Sequence, residues 1–204
     1  MNIEIKNGRV IDPKHGVDQR DTSLFVAEGT VIGIGATPAG FVADQTIDAT
    51  GCVVCPGLID LGARLNSIEA ELAAAVAGGV TSVVVPPDVD PPLDEPELAD
   101  RLVHRGKEIR KARVLPLGAL TLGLNGERLS ELAGLKKAGC VAFSQANKPV
   151  VDTEALLRAM EYAATFGFAV WLQPQDYWLS RNGIAHEGEV SSRLGLAGIP
   201  VAAE

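Results

Sequence analysis

The stretch Val80-Thr81-Ser82-Val83-Val84-Val85 decides how this chain is read. It is β-branched and strongly apolar, the pattern of a parallel strand buried on both faces. Working outward from it, short apolar strands alternate with helical periods. Gly57 to Leu61 reads as a strand and Ile68 to Ala77 as a helix on the N-terminal side. On the other side comes a charged amphipathic helix, Glu95 to Arg110, then a strand, Val114 to Leu117, and a helix within Glu127 to Lys137. Cys140 to Phe143 is a strand, Thr153 to Phe166 a helix, Ala169 to Leu172 a strand and His186 to Leu196 a last helix. Strand and helix thus alternate five times, at the spacing of βα units in a parallel sheet.

The segment Pro86 to Pro96 follows a strand, is rich in proline and carries Asp88, Asp90, Asp94 and Glu95. In barrels such long βα loops lie on the active-site face. The acidic residues are read as a solvated loop rather than a hard-cation site, with Asp94 capping the next helix.

The first 55 residues have no helical period. Ile3 and Ile5 alternate with Glu4 and Lys6, and Asn7-Gly8 is expected to turn the chain before Arg9-Val10-Ile11. Ser23 to Ala27 and Val31 to Ile34 flank Glu28-Gly29 as the arms of a hairpin. Gln45 to Asp48 and Cys52 to Cys55 complete a small β-module. The Cys52/Cys55 spacing is that of a metal or redox pair. Residues three apart on a strand point to opposite faces, however, and no second pair exists, so both are read as plain buried cysteines. Gly33-Ile34-Gly35 lacks the helix start that a phosphate loop requires.

Bulk properties narrow the function classes. The chain of 204 residues has a net charge of −8, with 47% apolar and 4% aromatic residues. An acidic balance argues against nucleic-acid and anionic-membrane partners. No apolar run reaches the length of a membrane span, and the start MNIEIKNGRV has no signal-peptide core. Three scattered cysteines make no disulfide framework, so a cytoplasmic location is expected.

Several segments together resemble one family. Val54-Cys55-Pro56-Gly57-Leu58-Ile59-Asp60 is similar to the signature with which dihydroorotases and other cyclic amidohydrolases enter their first barrel strand. Ala77-Gly78-Gly79-Val80-Thr81 with Asp90-Pro91-Pro92-Leu93-Asp94 resembles a dihydroorotase's second unit, and Ala138 to Phe143 its fourth strand. Glu187 to Ser191 with Leu194 to Pro200 resembles the segment after its fifth strand. The resemblance implies a small β-sandwich module (residues 1–55) followed by a (β/α)8 barrel domain (residues 56–204), and a zinc hydrolase of pyrimidine synthesis. A whole barrel takes about 250 residues, whereas Pro56 to Glu204 holds roughly 150, so only the first five βα units are expected. The chain is accordingly expected to be the N-terminal half of a longer protein, unstable alone, with an incomplete β-module.

The chemistry that the family implies is absent from the matching positions. The paired histidines after the first strand fall on Gly62 and Arg64. Glycine has no side chain, and arginine does not give up its proton to bind a metal. The family's fourth-strand carboxylate falls on Gln145 and its fifth-strand histidine on Gln173, both poor zinc ligands. On the substrate side, the binding arginine falls on Asn66 and the binding asparagine on Asp88. The three histidines, His15, His104 and His186, are read as solvated; His186 follows strand five but lacks ligand partners. Arg110, Lys111 and Arg113 are read as a helix C-terminus complementing its dipole.

The reading is therefore a non-catalytic dihydroorotase-like subunit without zinc. By resemblance it is a structural partner of the aspartate carbamoyltransferase catalytic chain in a bacterial hetero-oligomer. Two alternatives stand beside it: a cyclic amidohydrolase with a rearranged zinc site, and a small-molecule binding protein that uses Arg64 as an anion anchor in the barrel mouth.

Overall fold

The computed structural model describes residues 1–204, which divide into two compact units, Met1–Gly57 and Leu58–Glu204. The first unit is a single five-stranded sheet. Its strands are β1 (Ile3–Asp12), β2 (Val17–Ala27), β3 (Thr30–Ile34), β4 (Gln45–Asp48) and β5 (Val53–Val54). The order is β3-β2-β1-β4, with β5 also pairing β1. β1–β2 and β2–β3 are antiparallel, while β4 and β5 run parallel to β1. The β2–β3 hairpin has the expected two-residue loop, with Glu28 and Gly29 at φ 51° and 76° and Ala27 opposite Thr30. Positive φ at both positions suits the twist of the flanking strands.

Asn7-Gly8 is not the turn expected from sequence. β1 runs straight through it, and the register with β2 shifts on either side of Gly8. Asn7 takes φ 60°, and its Nδ2 donates to Asp48 Oδ1 at 3.0 Å. The pair therefore makes a bulge, which turn-forming residues also favour. Gly8 is required there, because a Cβ would lie 2.8 Å from Val54 Cγ2. Cys52 and Cys55 are exposed rather than buried, because they flank a two-residue strand.

The second unit is built on five parallel strands: β6 (Leu58–Asp60), β7 (Val80–Val85), β8 (Arg113–Ala119), β9 (Ala142–Ser144) and β10 (Val170–Trp171). They lie side by side in chain order, an arc of half-barrel type. Helices α1 (Ile68–Ala77), α2 (Pro96–Ile109), α3 (Leu132–Lys137) and α4 (Thr153–Thr165) form the connections. β7 shows why its residues are apolar throughout. Val83 and Val85 pack with Leu72, Ala112 and Val114, whereas Val84, pointing to the other face, packs with Leu117 and Ala142. A third cluster joins Leu120, Leu132, Leu135, Cys140, Phe143 and Ala159. β6 and β10 each pair on one side only, and Leu58, Ile59, Leu61 and Trp171 are exposed there.

After β10 the chain forms a short helix α5 (Tyr177–Ser180), capped by the Asp176 carboxylate, and then the parallel pair β11 (Ala185–His186) and β12 (Gly198–Ile199). The helix expected from His186 to Leu196 is shorter, α6 (Glu189–Leu194). Gly188 breaks it in extended backbone, and its N–H donates to Ser191 Oγ at 2.9 Å. Asp94 does not cap α2. Its Oδ2 accepts instead from the N–H of Gly123, at 2.6 Å, and so ties two βα loops together. No helix is long and apolar enough to cross a membrane.

Two outcomes follow from this packing. Gly106 on α2 lies so close to β8 that a Cβ would sit 2.6 Å from Val114 Cγ2. Gly106→Ala should therefore cost roughly 1–3 kcal/mol in urea unfolding of the full-length protein, despite alanine's better helix propensity. The cysteines should also divide. Cys140 is buried, and burial pushes its thiol up to about 12. At mildly alkaline pH a thiol reagent should modify Cys52 and Cys55 at once and Cys140 only after denaturation.

Candidate functional site

The C-terminal ends of the parallel strands carry the positions of interest, as expected for a barrel face. Asp60 ends β6, and its Oδ1 accepts from the N–H of Gly62 at 2.9 Å. The next amide, Ala63 N–H, donates to Val84 O at 2.9 Å, which holds this loop against the end of β7. Gly62 itself is exposed, and a Cβ there would meet nothing within 4 Å. Packing thus leaves room for a larger side chain at this position.

Arg64 follows on the same loop, and its partner comes from the next one. Its Nε and Nη2 both donate to Asp88 Oδ2, at 3.1 and 2.8 Å. Arg64 and Asp88 stand, respectively, where the family's metal ligand and substrate-binding asparagine are expected. The structure joins these two departures in one ion pair. Asp88 is the more sheltered partner, with a side chain 25% exposed against 49% for Arg64. The other carboxylate oxygen of Asp88 is buried and has no hydrogen-bond partner. Removing Arg64 would therefore leave the whole carboxylate unpaired, a larger loss than for a freely solvated pair.

Gln145 lies just beyond β9 and is only 1% exposed. It is occupied by Thr121, itself 1% exposed. Thr121 Oγ1 donates to Gln145 Oε1 at 3.0 Å and accepts from Gln145 Nε2 at 2.8 Å and from the N–H of Gly126 at 2.9 Å. This closed network is structural, and sequence reasoning did not find Thr121. The signal was an uncharged amide, needing a polar partner, at the end of an apolar strand. Gln173, by contrast, is exposed beyond β10 and bonds only to its neighbour Gln175, at 3.2 Å. Together with His186 and Glu204 these two amides border a cleft of about 350 Å³. Asn66 is exposed on the loop that carries Arg64.

The six positions therefore do not form one cluster. Arg64 and Asp88 are joined, Gln145 is sealed inside, and Gln173, Asn66 and Gly62 are on the surface. Zinc requires converging imidazole, thiolate or carboxylate donors. A glycine, a protonated guanidinium already bonded to a carboxylate, and two amides do not fit that requirement. No three His, Cys, Asp or Glu side chains come together elsewhere as a metal-binding group. The acidic loop after β7 is dispersed as well, with Asp88 bonded to Arg64 and Asp94 to Gly123. His15 pairs with Asp12 at 2.6 Å, and His104 lies 3.9 Å from Glu108 on α2. Thr121→Val should cost about 1–3 kcal/mol, because it orphans the buried amide of Gln145 and the N–H of Gly126. Unchanged thermal stability would show that the amide is not held this way.

Comparisons with known proteins identify the family and the fold. Residues 51–204 match the family described as Dihydro-orotase-like. A "Dihydroorotase-like protein" of Pseudomonas putida is 48% identical over the whole chain, and one of Pseudomonas aeruginosa is 45% identical. A "Dihydroorotase" of Pelobacter propionicus is 43% identical over the same span. In each case the match covers 50% of the relative, so the chain spans about half the length of these curated relatives. Among solved structures, the L-hydantoinase (dihydropyrimidinase) from Arthrobacter aurescens superposes with a TM-score of 0.68 at 20% identity. That match covers 87% of this chain and 41% of the hydantoinase, and it supports the fold alone. The family match over residues 51–204, with relatives this similar along the whole chain, leads to one conclusion: this chain belongs to the dihydroorotase-like family.

Proposed function

We propose that this chain is a non-catalytic, zinc-free dihydroorotase-like protein that serves pyrimidine biosynthesis in the cytoplasm as an assembly subunit for aspartate carbamoyltransferase. The observation that carries the non-catalytic reading is the Arg64–Asp88 ion pair. In a working site these two loops would present a lone pair to a metal and a neutral hydrogen-bonding group to an anionic substrate. Here they present a fixed cation and a fixed anion that bond to each other through one carboxylate oxygen. An added zinc ion would meet the guanidinium, and an anionic substrate would meet the carboxylate. The two relatives with the highest identities quoted above carry the name "Dihydroorotase-like protein" rather than dihydroorotase, in keeping with this reading. The assembly role rests on the resemblance to the dihydroorotase-like subunits that accompany the transferase.

The pairing also weighs against the chain as a small-molecule binder anchored by Arg64, because that guanidinium already has a carboxylate. The zinc hydrolase with a rearranged site draws support from the relatives named dihydroorotase, at 43% identity and below.

The test is co-expression of the full-length protein with aspartate carbamoyltransferase from the same source, followed by native mass measurement and a dihydroorotate hydrolysis assay. The proposal calls for a complex of fixed stoichiometry with no hydrolysis above background. An uncomplexed chain that turns over dihydroorotate would overturn it. Gly62→His with Arg64→His should fold, given the open space at Gly62, yet remain inactive while Gln145 and Gln173 stand.

A further inference from the structure

The opposite end of the parallel sheet gathers positive charge. At the N-terminal ends of β7 and β8 an open cleft of about 660 Å³ is bordered by Lys107, Arg110, Lys111 and Arg113, with Thr81 and Ser82 beside them. No Asp or Glu lines it. In a chain with 26 acidic residues against 18 Lys and Arg, such one-sided lining is a marked local departure. None of the four cations is paired with a carboxylate. The ion pairs of this chain involve Arg9, His15, Arg64, His104, Arg105 and Arg158 instead.

Local backbone geometry gathers these cations. Gly106 allows α2 to lie directly against Val114 of β8, which brings Lys107 over the strand start. Arg110 ends α2 in the left-handed conformation, φ 53°, and turns the chain sharply into β8. Arg113, the first residue of β8, is in register with Ser82 of β7. Val103, Val114 and Leu115 supply an apolar lining between the charges.

Complementing the helix dipole does not account for this set. The C-terminus of one helix is equivalent to about half a negative charge, so one cation at the end of α2 would more than offset it. Four unpaired cations around one concavity repel one another, and the favourable way to relieve that is a multivalent anion. The cleft falls within the roughly 300–1,000 Å³ range of small-ligand sites. Its concave shape favours a compact ligand over the broad face of an acidic protein.

We propose that this cleft binds a small anion bearing two or more phosphate groups. Lys107, Arg110, Lys111 and Arg113 would hold the phosphates, the start of β7 at Thr81 and Ser82 would border them, and the apolar lining would accept any organic portion. The site is distinct from the strand-end loops of Arg64 and Asp88 and does not depend on whether the chain is catalytic.

The test is calorimetric titration of the full-length protein with tripolyphosphate, a nucleoside triphosphate, the parent nucleoside and poly-glutamate, at low and raised salt. Both phosphate compounds should bind, weakening as salt rises, and the nucleoside should not. Tighter binding of the nucleotide than of tripolyphosphate would assign a role to the apolar lining, and equal binding would assign the site to the phosphates alone. Lys111→Glu with Arg113→Glu should weaken phosphate binding at least about tenfold. A milder variant, Lys107→Gln with Lys111→Gln, guards against a folding defect, and Arg158→Ala on α4 should change nothing. Absence of binding by either phosphate compound, binding unaffected by the cleft variants, or binding of poly-glutamate alone would overturn the proposal.

Discussion

Two hydrogen bonds from Arg64 to a single oxygen of Asp88 bind the loop after β6 to the loop after β7. The arrangement of both strand-end loops depends on this contact. It is possible because β6 and β7 are neighbours in a parallel sheet, so both loops leave the same end of it. Its stabilising value is modest, since Arg64 is half exposed and exposed pairs contribute about 0–1 kcal/mol. Its importance lies in charge. A guanidinium that stays protonated occupies one side of the site and a carboxylate the other, and the charge of each is offset by the other. Gln145 is likewise held from within, by Thr121, so at this end of the sheet the polar groups bond to one another, one buried oxygen of Asp88 excepted.

Much of the architecture was legible in the sequence because it rests on local pattern. The β-branched run at Val80–Val85, the helical period of α2 and the Glu28-Gly29 hairpin each follow from one residue-level rule, and each is found in the structure. The misreadings arose where one residue type serves two local geometries. Asn7-Gly8 supplies positive φ to a bulge as readily as to a turn. Asp94 could cap a helix, but a loop distant in sequence offered its Gly123 N–H instead. Cysteine as a residue type favours burial, but the strand between Cys52 and Cys55 is too short to bury either.

The candidate site was legible as a set of residue types but not as a set of contacts. That Gly62, Arg64, Gln145 and Gln173 lack zinc chemistry follows from their side chains alone. That Arg64 finds Asp88, 24 residues away, depends on the register of two strands and on a loop folded back upon itself. Opposite charges at two positions that both depart from the family pattern hint at such pairing. Thr121 gave a fainter signal, because its role appears only once Gln145 is known to be buried. In sequence, Arg110, Lys111 and Arg113 look like a helix terminus, since Lys107 and the start of β7 join them only in three dimensions.

The most direct measurement of the central claim is the zinc content of the full-length protein after equilibration with excess zinc and removal of the unbound metal. An internally satisfied site requires a content far below one zinc per chain, unchanged by further zinc. Near-stoichiometric zinc, lost on mutation of the strand-end loops, would contradict it and show that the Arg64–Asp88 pair opens to admit a metal.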